Sequence, residues 1–182
     1  MFEVLNGYEI GLLNGIQEVF GCGFLDTVMP YITKLGDSDI LAIVCAAIML
    51  CFKRTRAIGV AVAVALILEL VVVNVALKPL IMRARPFVVN PDVALLIGRP
   101  GDYSFPSGHT ASMFAFSVSV LCFNKKLGAA AVVIAALVAF SRLYLYVHYP
   151  SDVIAGMLIG IIIAIVSSKI ARRIFKNSLS GA

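Results

Sequence analysis

The chain has 182 residues, 61% hydrophobic and 14% charged, with no Trp and a formal net charge of +5. Its mean hydropathy is +1.01. A soluble domain is about 45–50% apolar and about 25% charged, so the excess has no core to fill, most helices must face lipid, and a soluble globular enzyme is excluded.

Residues 1–36 are less apolar than the rest and are broken by Gly21, Gly23, Pro30 and Gly36. They are expected to form one or two amphipathic helices at the membrane interface, with a sixth span left open there. Glu3, Glu9 and Glu18 stand where a signal peptide needs basic residues, so no cleavable leader is expected. Apolar runs follow at 38–52, 57–80, 107–123, 127–147 and 152–168. They predict five clear transmembrane helices in an all-α, polytopic membrane helical bundle, a single domain over 1–182. Several runs fall short of the ~20 residues that span a bilayer core and must borrow mildly polar ends. The four cysteines, Cys22, Cys45, Cys51 and Cys122, form no close pair or metal-type spacing, and those in apolar runs act as small hydrophobes.

The short connectors set the orientation. Lys53, Arg54 and Arg56, then Lys125 and Lys126, then Lys169, Arg172, Arg173 and Lys176 fall on one side without an acidic residue among them. By the positive-inside rule that side is cytoplasmic. The remaining basic residues, Lys34, Lys78, Arg83, Arg85, Arg99 and Arg142, lie outside or near the outer helix ends. They run against the bias and call for a reason.

Three stretches on the outer side supply one. In "KPLIMRARP", Lys78 and Arg85 are seven residues apart, about two helical turns. Taken alone, such a pair reads as snorkelling cations that anchor a helix end. In "FPSGHTAS", Ser107 is a good N-cap for the apolar run after it. The first amides near Gly108 and His109 then lack carbonyl partners and, with the helix dipole, offer a phosphate seat. Taken alone, this reads equally as an ordinary cap with a solvent-facing His. In "SRLYLYVHYPSD", Arg142 ends one span, His148 follows in a connector and Asp152 opens the next. Asp152 can accept the Nδ1–H of His148 and leave Nε2 nucleophilic, the logic of base and orienter. The alternative is a His–Asp capping contact. Together the stretches gather three cations, a helix N-terminus, one carboxylate and both histidines of the chain, a set suited to a dianion or a transferring phosphoryl group.

These motifs resemble the type 2 phosphatidic acid phosphatase superfamily: Lys78, six residues, Arg85-Pro86; Pro106-Ser107-Gly108-His109; Ser141-Arg142, five residues, His148, three residues, Asp152. Every signature position is filled between 78 and 152. The resemblance implies that His148 attacks phosphorus to form a phosphohistidine while Asp152 fixes its tautomer. It implies that His109 protonates the leaving group and then activates water. Lys78, Arg85, Arg142, Ser107 and Gly108 would bind the phosphoryl oxygens. No metal and no cofactor is implied.

The expected protein is a metal-independent phosphatase of the cell membrane, bacterial in origin, its site facing the extracytoplasmic side and its substrate a membrane lipid. No nucleic acid and no obligatory protein partner is expected. Small size and short loops resemble undecaprenyl diphosphate phosphatases. Phosphatidic acid and phosphatidylglycerophosphate phosphatases share the same motifs, and a lipid-linked phosphotransferase has the same chemistry with another acceptor. The segment 87–105 is expected to cover the site, with Asp92, Arg99 and Asp102 as headgroup contacts. Glu69 and Asn74, within the second span, are the features that suit a transporter instead. For Glu69, about 13 Å below Lys78 on an ideal helix, a bond to a neighbouring helix is expected.

Overall fold

A computed structural model describes residues 3–37 and 40–179. Residues 1, 2, 38 and 39, at the ends of the expected ranges 1–36 and 38–52, and residues 180–182 lie outside the described residues. The described chain is helical, with no strand among the described residues. In order come α1 (Glu3–Phe20), α2 (Gly23–Lys34), α3 (Ile40–Cys51), α4 (Arg56–Glu69), a π-helical stretch (Leu70–Leu77), α5 (Lys78–Ile81), α6 (Pro86–Val89), α7 (Gly108–Phe123), α8 (Lys125–Tyr144) and α9 (Pro150–Leu179).

Three helical segments are long and apolar enough to cross a membrane: Arg56–Val89, Lys125–Tyr144 and Pro150–Lys176. The other two expected spans appear as the shorter apolar helices Ile40–Cys51 and Gly108–Phe123. Large apolar side chains such as Ile67, Val75, Val133 and Ile162 are more than 60% exposed, as expected of surfaces solvated by lipid.

Association within lipid gains nothing from excluding hydrocarbon, so close helix approach has to come from small residues. Gly156 and Gly160 of α9 supply it. A Cβ at Gly156 would lie 2.5 Å from the Ser107 carbonyl, and one at Gly160 would lie 2.4 Å from that of Ala111. Gly128 of α8 meets Leu121 of α7 in the same way. Asn124 ends α7 and caps α8, its side chain accepting from the Leu127 amide at 3.1 Å. Met113, Phe114, Val138 and Val153 fill the space between α7, α8 and α9. Ala46, Ile58, Val62 and Val120 do so between α3, α4 and α7.

Polar side chains tie the N-terminal pair to the rest of the bundle. Asn14 accepts from the Tyr146 hydroxyl at 2.8 Å, Asp26 accepts from that of Tyr144 at 2.6 Å, and Gln17 donates to the Tyr144 carbonyl. Glu9 is 3% exposed, whereas Val4, Tyr8 and Val19 on the same helix are 70% exposed or more. α1 thus docks on the protein through polar and apolar residues alike, Glu9 and Leu13 among them, while Val4, Tyr8 and Val19 turn outward.

The rod that begins at α4 changes pitch at Leu70–Leu77. In an α-helix, residues nine apart lie two and a half turns apart, on opposite faces. The wider i→i+5 turns instead bring Glu69, Asn74 and Lys78 to one cavity wall. Pro79, which cannot donate to the preceding turn, stands just after the widened stretch.

Candidate active site

The rod ends at Met82, whose φ of 49° and ψ of 37° are left-handed, with its amide donating to the Lys78 carbonyl at 2.9 Å. A left-handed residue stops a helix by turning the chain aside. Arg83 to Arg85 then run across the end of the bundle, and Pro86 opens α6 at a position where a missing N–H costs nothing. Lys78 and Arg85 thus converge from either side of a turn, both less than 10% exposed.

α7 begins at Gly108, with Ser107 as an extended N-cap. The Ser107 hydroxyl lies 3.0 Å from that of Thr110 and caps no amide. Its own N–H donates to the Asp152 carbonyl at 3.1 Å, and the residue is fully buried. Ser107 thereby joins the start of α7 to α9, immediately before Gly108. Gly108 and His109 do line the cavity. A Cβ at Gly108 would come within 3.3 Å of Lys78 Nζ, so the missing side chain keeps the amides beside the ammonium open.

His148 sits in the α8–α9 connector, 1% exposed. Its Nε2 is 3.2 Å from a guanidinium nitrogen of Arg85, and its Nδ1 is 3.6 Å from Asp152 Oδ2. That second distance exceeds a hydrogen bond, and Nδ1 has no other partner among the described residues. Asp152 accepts from Ser104 Oγ at 2.5 Å, the Tyr149 amide at 3.0 Å and Arg83 at 2.5 Å. Burial first, and then the charges of Arg85, Arg142 and Lys78, push His148 well below its usual 6.5. It is therefore neutral near pH 7, the state a nitrogen nucleophile requires.

Arg142 donates to Thr33 Oγ1 at 2.5 Å, while its buried Nε has no partner among the described residues. His109 Nε2 lies 2.7 Å from Asp37 Oδ1. Gly36 packs so closely on the His109 ring that a Cβ there would be 3.1 Å from Cδ2. These groups surround a cavity of about 650 Å³ whose walls include Lys78, Arg85, His109, Arg142 and His148.

The covering segment contributes Leu96, Ile97, Gly98, Pro100 and Asp102 to the same cavity. Asp102 bridges two cations of the cavity wall. One carboxylate oxygen accepts from Arg85 at 2.5 Å and the other from Lys78. Although burial opposes ionisation, these two cations hold the carboxyl well below the usual carboxylate range. Arg99 instead lies 5.8 Å from the Phe87 ring centroid, and Asp92 is exposed. Glu69 accepts from Asn74 of the same rod at 3.5 Å and, although expected well below the site, lines its cavity.

Sequence reasoning missed Arg83, Glu9, Asp37 and Thr33 as parts of the site. Arg83 had one signal, an outer-side cation against the charge bias. Its guanidinium is fully buried, bonded to Asp152 at 2.5 Å, to Ser151 Oγ at 2.7 Å and to Glu9 at 2.6 Å.

A cavity with this much fixed positive charge and a neutral buried histidine belongs, in a helical membrane bundle, to a membrane-embedded lipid phosphatase. The chain is a member of the PAP2 superfamily, whose family model matches residues 56–176. It is 35% identical over 172 residues to the undecaprenyl-diphosphatase of Sulfolobus acidocaldarius, covering 93% of this chain and 76% of that one. Among solved structures, it resembles the transmembrane PAP2-type phosphatidylglycerolphosphate phosphatase of Bacillus subtilis. That match has a TM-score of 0.78 at 25% identity, over 94% of this chain and 88% of the other. LpxE of Aquifex aeolicus matches with a TM-score of 0.75 at 31% identity, over 91% and 95%.

Proposed function

We propose that the protein dephosphorylates an isoprenoid lipid diphosphate, undecaprenyl diphosphate first among candidates, at the extracytoplasmic face. The observation that carries the chemistry is the buried His148, its Nε2 3.2 Å from Arg85, opening onto a cavity walled by Lys78, Arg85 and Arg142. The extended similarity to an undecaprenyl-diphosphatase supports the substrate class.

Nε2 of His148 attacks the terminal phosphorus, and the bond from phosphorus to the bridging oxygen breaks. Lys78, Arg85, Arg142 and the open amides of α7 hold the oxygens as charge shifts. His109 gives its proton to the departing phosphate oxygen, then takes one from water as that water attacks the phosphohistidine. Neutral His148 and inorganic phosphate result. The side chains already present supply the cationic charge this chemistry needs, which supports a metal-independent reaction. Among the described residues no group of three His, Cys, Asp or Glu is placed to hold a metal.

The facing of the site is supported by charge. Arg172 donates to the Cys122 carbonyl and lies 5.1 Å from the Phe123 ring centroid, so the basic tail meets the end of α7 remote from the cavity. The test is phosphate release from undecaprenyl diphosphate, phosphatidic acid and phosphatidylglycerophosphate side by side, with EDTA and with vanadate. Turnover fastest on the diphosphate, resistant to EDTA and blocked by vanadate, is expected. Preference for a glycerolipid monophosphate overturns the substrate assignment, and loss of activity in EDTA restored by Mg²⁺ overturns the metal-free mechanism.

A further inference from the structure

Beyond the signature residues, the molecule buries a second charged cluster against the first. Arg83 is 2% exposed, Glu9 3% and Asp152 0%. One guanidinium nitrogen donates to Asp152 Oδ1 at 2.5 Å and Ser151 Oγ at 2.7 Å; the other donates to Glu9 Oε2 at 2.6 Å and Asn6 Oδ1 at 2.7 Å. The Arg83 guanidinium also stacks 3.9 Å from the ring centroid of Tyr149, the residue beside His148. Glu9 closes the arrangement from its other oxygen, which accepts from the Ser151 amide at 2.6 Å.

Charge this deeply buried is costly unless it is paired and fully bonded, and here these partners of Arg83 lie on or beside the α8–α9 connector or on α1. A helix-end anchor would need neither complete burial nor a bond to the site carboxylate. Asp152 cannot be held by His148 itself, whose Nδ1 is 3.6 Å away. Its position is set by Arg83, Ser104 and the Tyr149 amide. The Arg83 carbonyl in turn accepts from the Ser104 amide at 2.9 Å.

We propose that Arg83, clamped by Glu9 of the N-terminal helix, is a positioning residue that fixes Asp152 and, through it, the ring of His148. The proposal rests on His148 being the nucleophile. It gives α1 a role in catalysis: the helix brings the carboxylate that shares Arg83 with Asp152. When Arg83 is drawn towards Glu9, Asp152 keeps more of its charge for the Nδ1–H of His148. When Glu9 is neutral, Asp152 carries the whole cation. His148 is also faced by Lys78 of α5, Arg85 of the turn that follows α5, His109 of α7 and Arg142 of α8, which these changes leave in place.

The signs follow. Arg83→Lys keeps the charge but loses the fork that spans two carboxylates. Its kcat should fall about 10- to 100-fold with KM within about twofold, because the phosphate seat is untouched. Glu9→Gln leaves Arg83 wholly to Asp152, disfavours the protonated imidazole, and should move the acid limb of kcat to lower pH. The double change Arg83→Met with Glu9→Gln frees Asp152 of its cation and should move the limb to higher pH.

The experiment measures the pH profile of phosphate release from undecaprenyl diphosphate in detergent, for wild type, these variants and His148→Ala. Folded fraction is read by size-exclusion chromatography and thermal melting. Opposite movements of the limb for Glu9→Gln and the double variant support the proposal, and Glu9→Gln with a lower limb supports it if the Arg83 variants do not fold. Losses that track folded fraction alone, with an unmoved limb, overturn it. Wild-type turnover in His148→Ala would instead overturn the nucleophile assignment on which it rests, so the two failures are distinct.

Discussion

His148 Nε2 and the Arg85 guanidinium are 3.2 Å apart, and a guanidinium can only donate. Nε2 is therefore the bare nitrogen, and the ring proton sits on Nδ1, facing Asp152. This is the tautomer that attack on phosphorus requires. It follows from the cation, since the histidine–carboxylate contact itself is 3.6 Å.

The proposed reaction needs neutral His148, and burial followed by three cations lowers its proton affinity. The neutral form then persists as pH falls through 6.5, so the acid limb of kcat/KM belongs below that value. Arg85→Gln removes one of those cations, which raises the limb towards 6.5. The same change should cost about 10²- to 10³-fold in kcat/KM. A pH–rate profile of both proteins checks the sign.

Asp102 bridges Lys78 and Arg85, where the resemblance places phosphoryl oxygens. A bound anion has to displace it. Asp102→Asn should therefore tighten inhibition by vanadate or inorganic phosphate about tenfold, equivalent to about 1.4 kcal/mol. An unchanged or weaker inhibition constant would show that the carboxylate organises the cations instead of competing for them.

His109, the proposed general acid, has a carboxylate partner of its own. Asp37 lies 2.7 Å from His109 Nε2 and, with Gly36 against the ring, holds its orientation. His109→Ala should lose about 10²- to 10⁴-fold in kcat, and Asp37→Asn a smaller share. Both losses should shrink on a phosphate ester whose leaving group needs no proton. Equal losses on both kinds of substrate would argue for a binding role.

Gly156 has no room for a side chain against the Ser107 carbonyl, whereas nothing lies within 4 Å of a Cβ at Gly15. Gly156→Ala should lower the thermal midpoint in detergent, at a cost of about 1–3 kcal/mol. Gly15→Ala should leave it unchanged or raise it, since Ala favours a helix interior.

The apolar runs were legible because lipid-facing helices need continuous hydrophobicity, and the three outer motifs because their donors are clustered locally. What escaped depended on contacts without local signal. Asp37 is 72 residues from His109, and Glu9 is 142 from Ser151. Glu69 escaped for a different reason: nine residues put it opposite Lys78 on an ideal helix, and only the π-helical turns bring both to one cavity wall. The contacts of Ser107, whose amide donates to the Asp152 carbonyl and whose hydroxyl lies 3.0 Å from that of Thr110, escaped because they depend on how α7 meets α9.

In the proposed reaction His148 carries the phosphoryl group. Terminally ³²P-labelled undecaprenyl diphosphate, mixed with enzyme and quenched in alkali within the first turnover, tests it directly. Label should appear on the protein as an acid-labile adduct at His148 and be absent from His148→Ala. The same adduct in His148→Ala, or near-wild-type phosphate release from that variant, would contradict it.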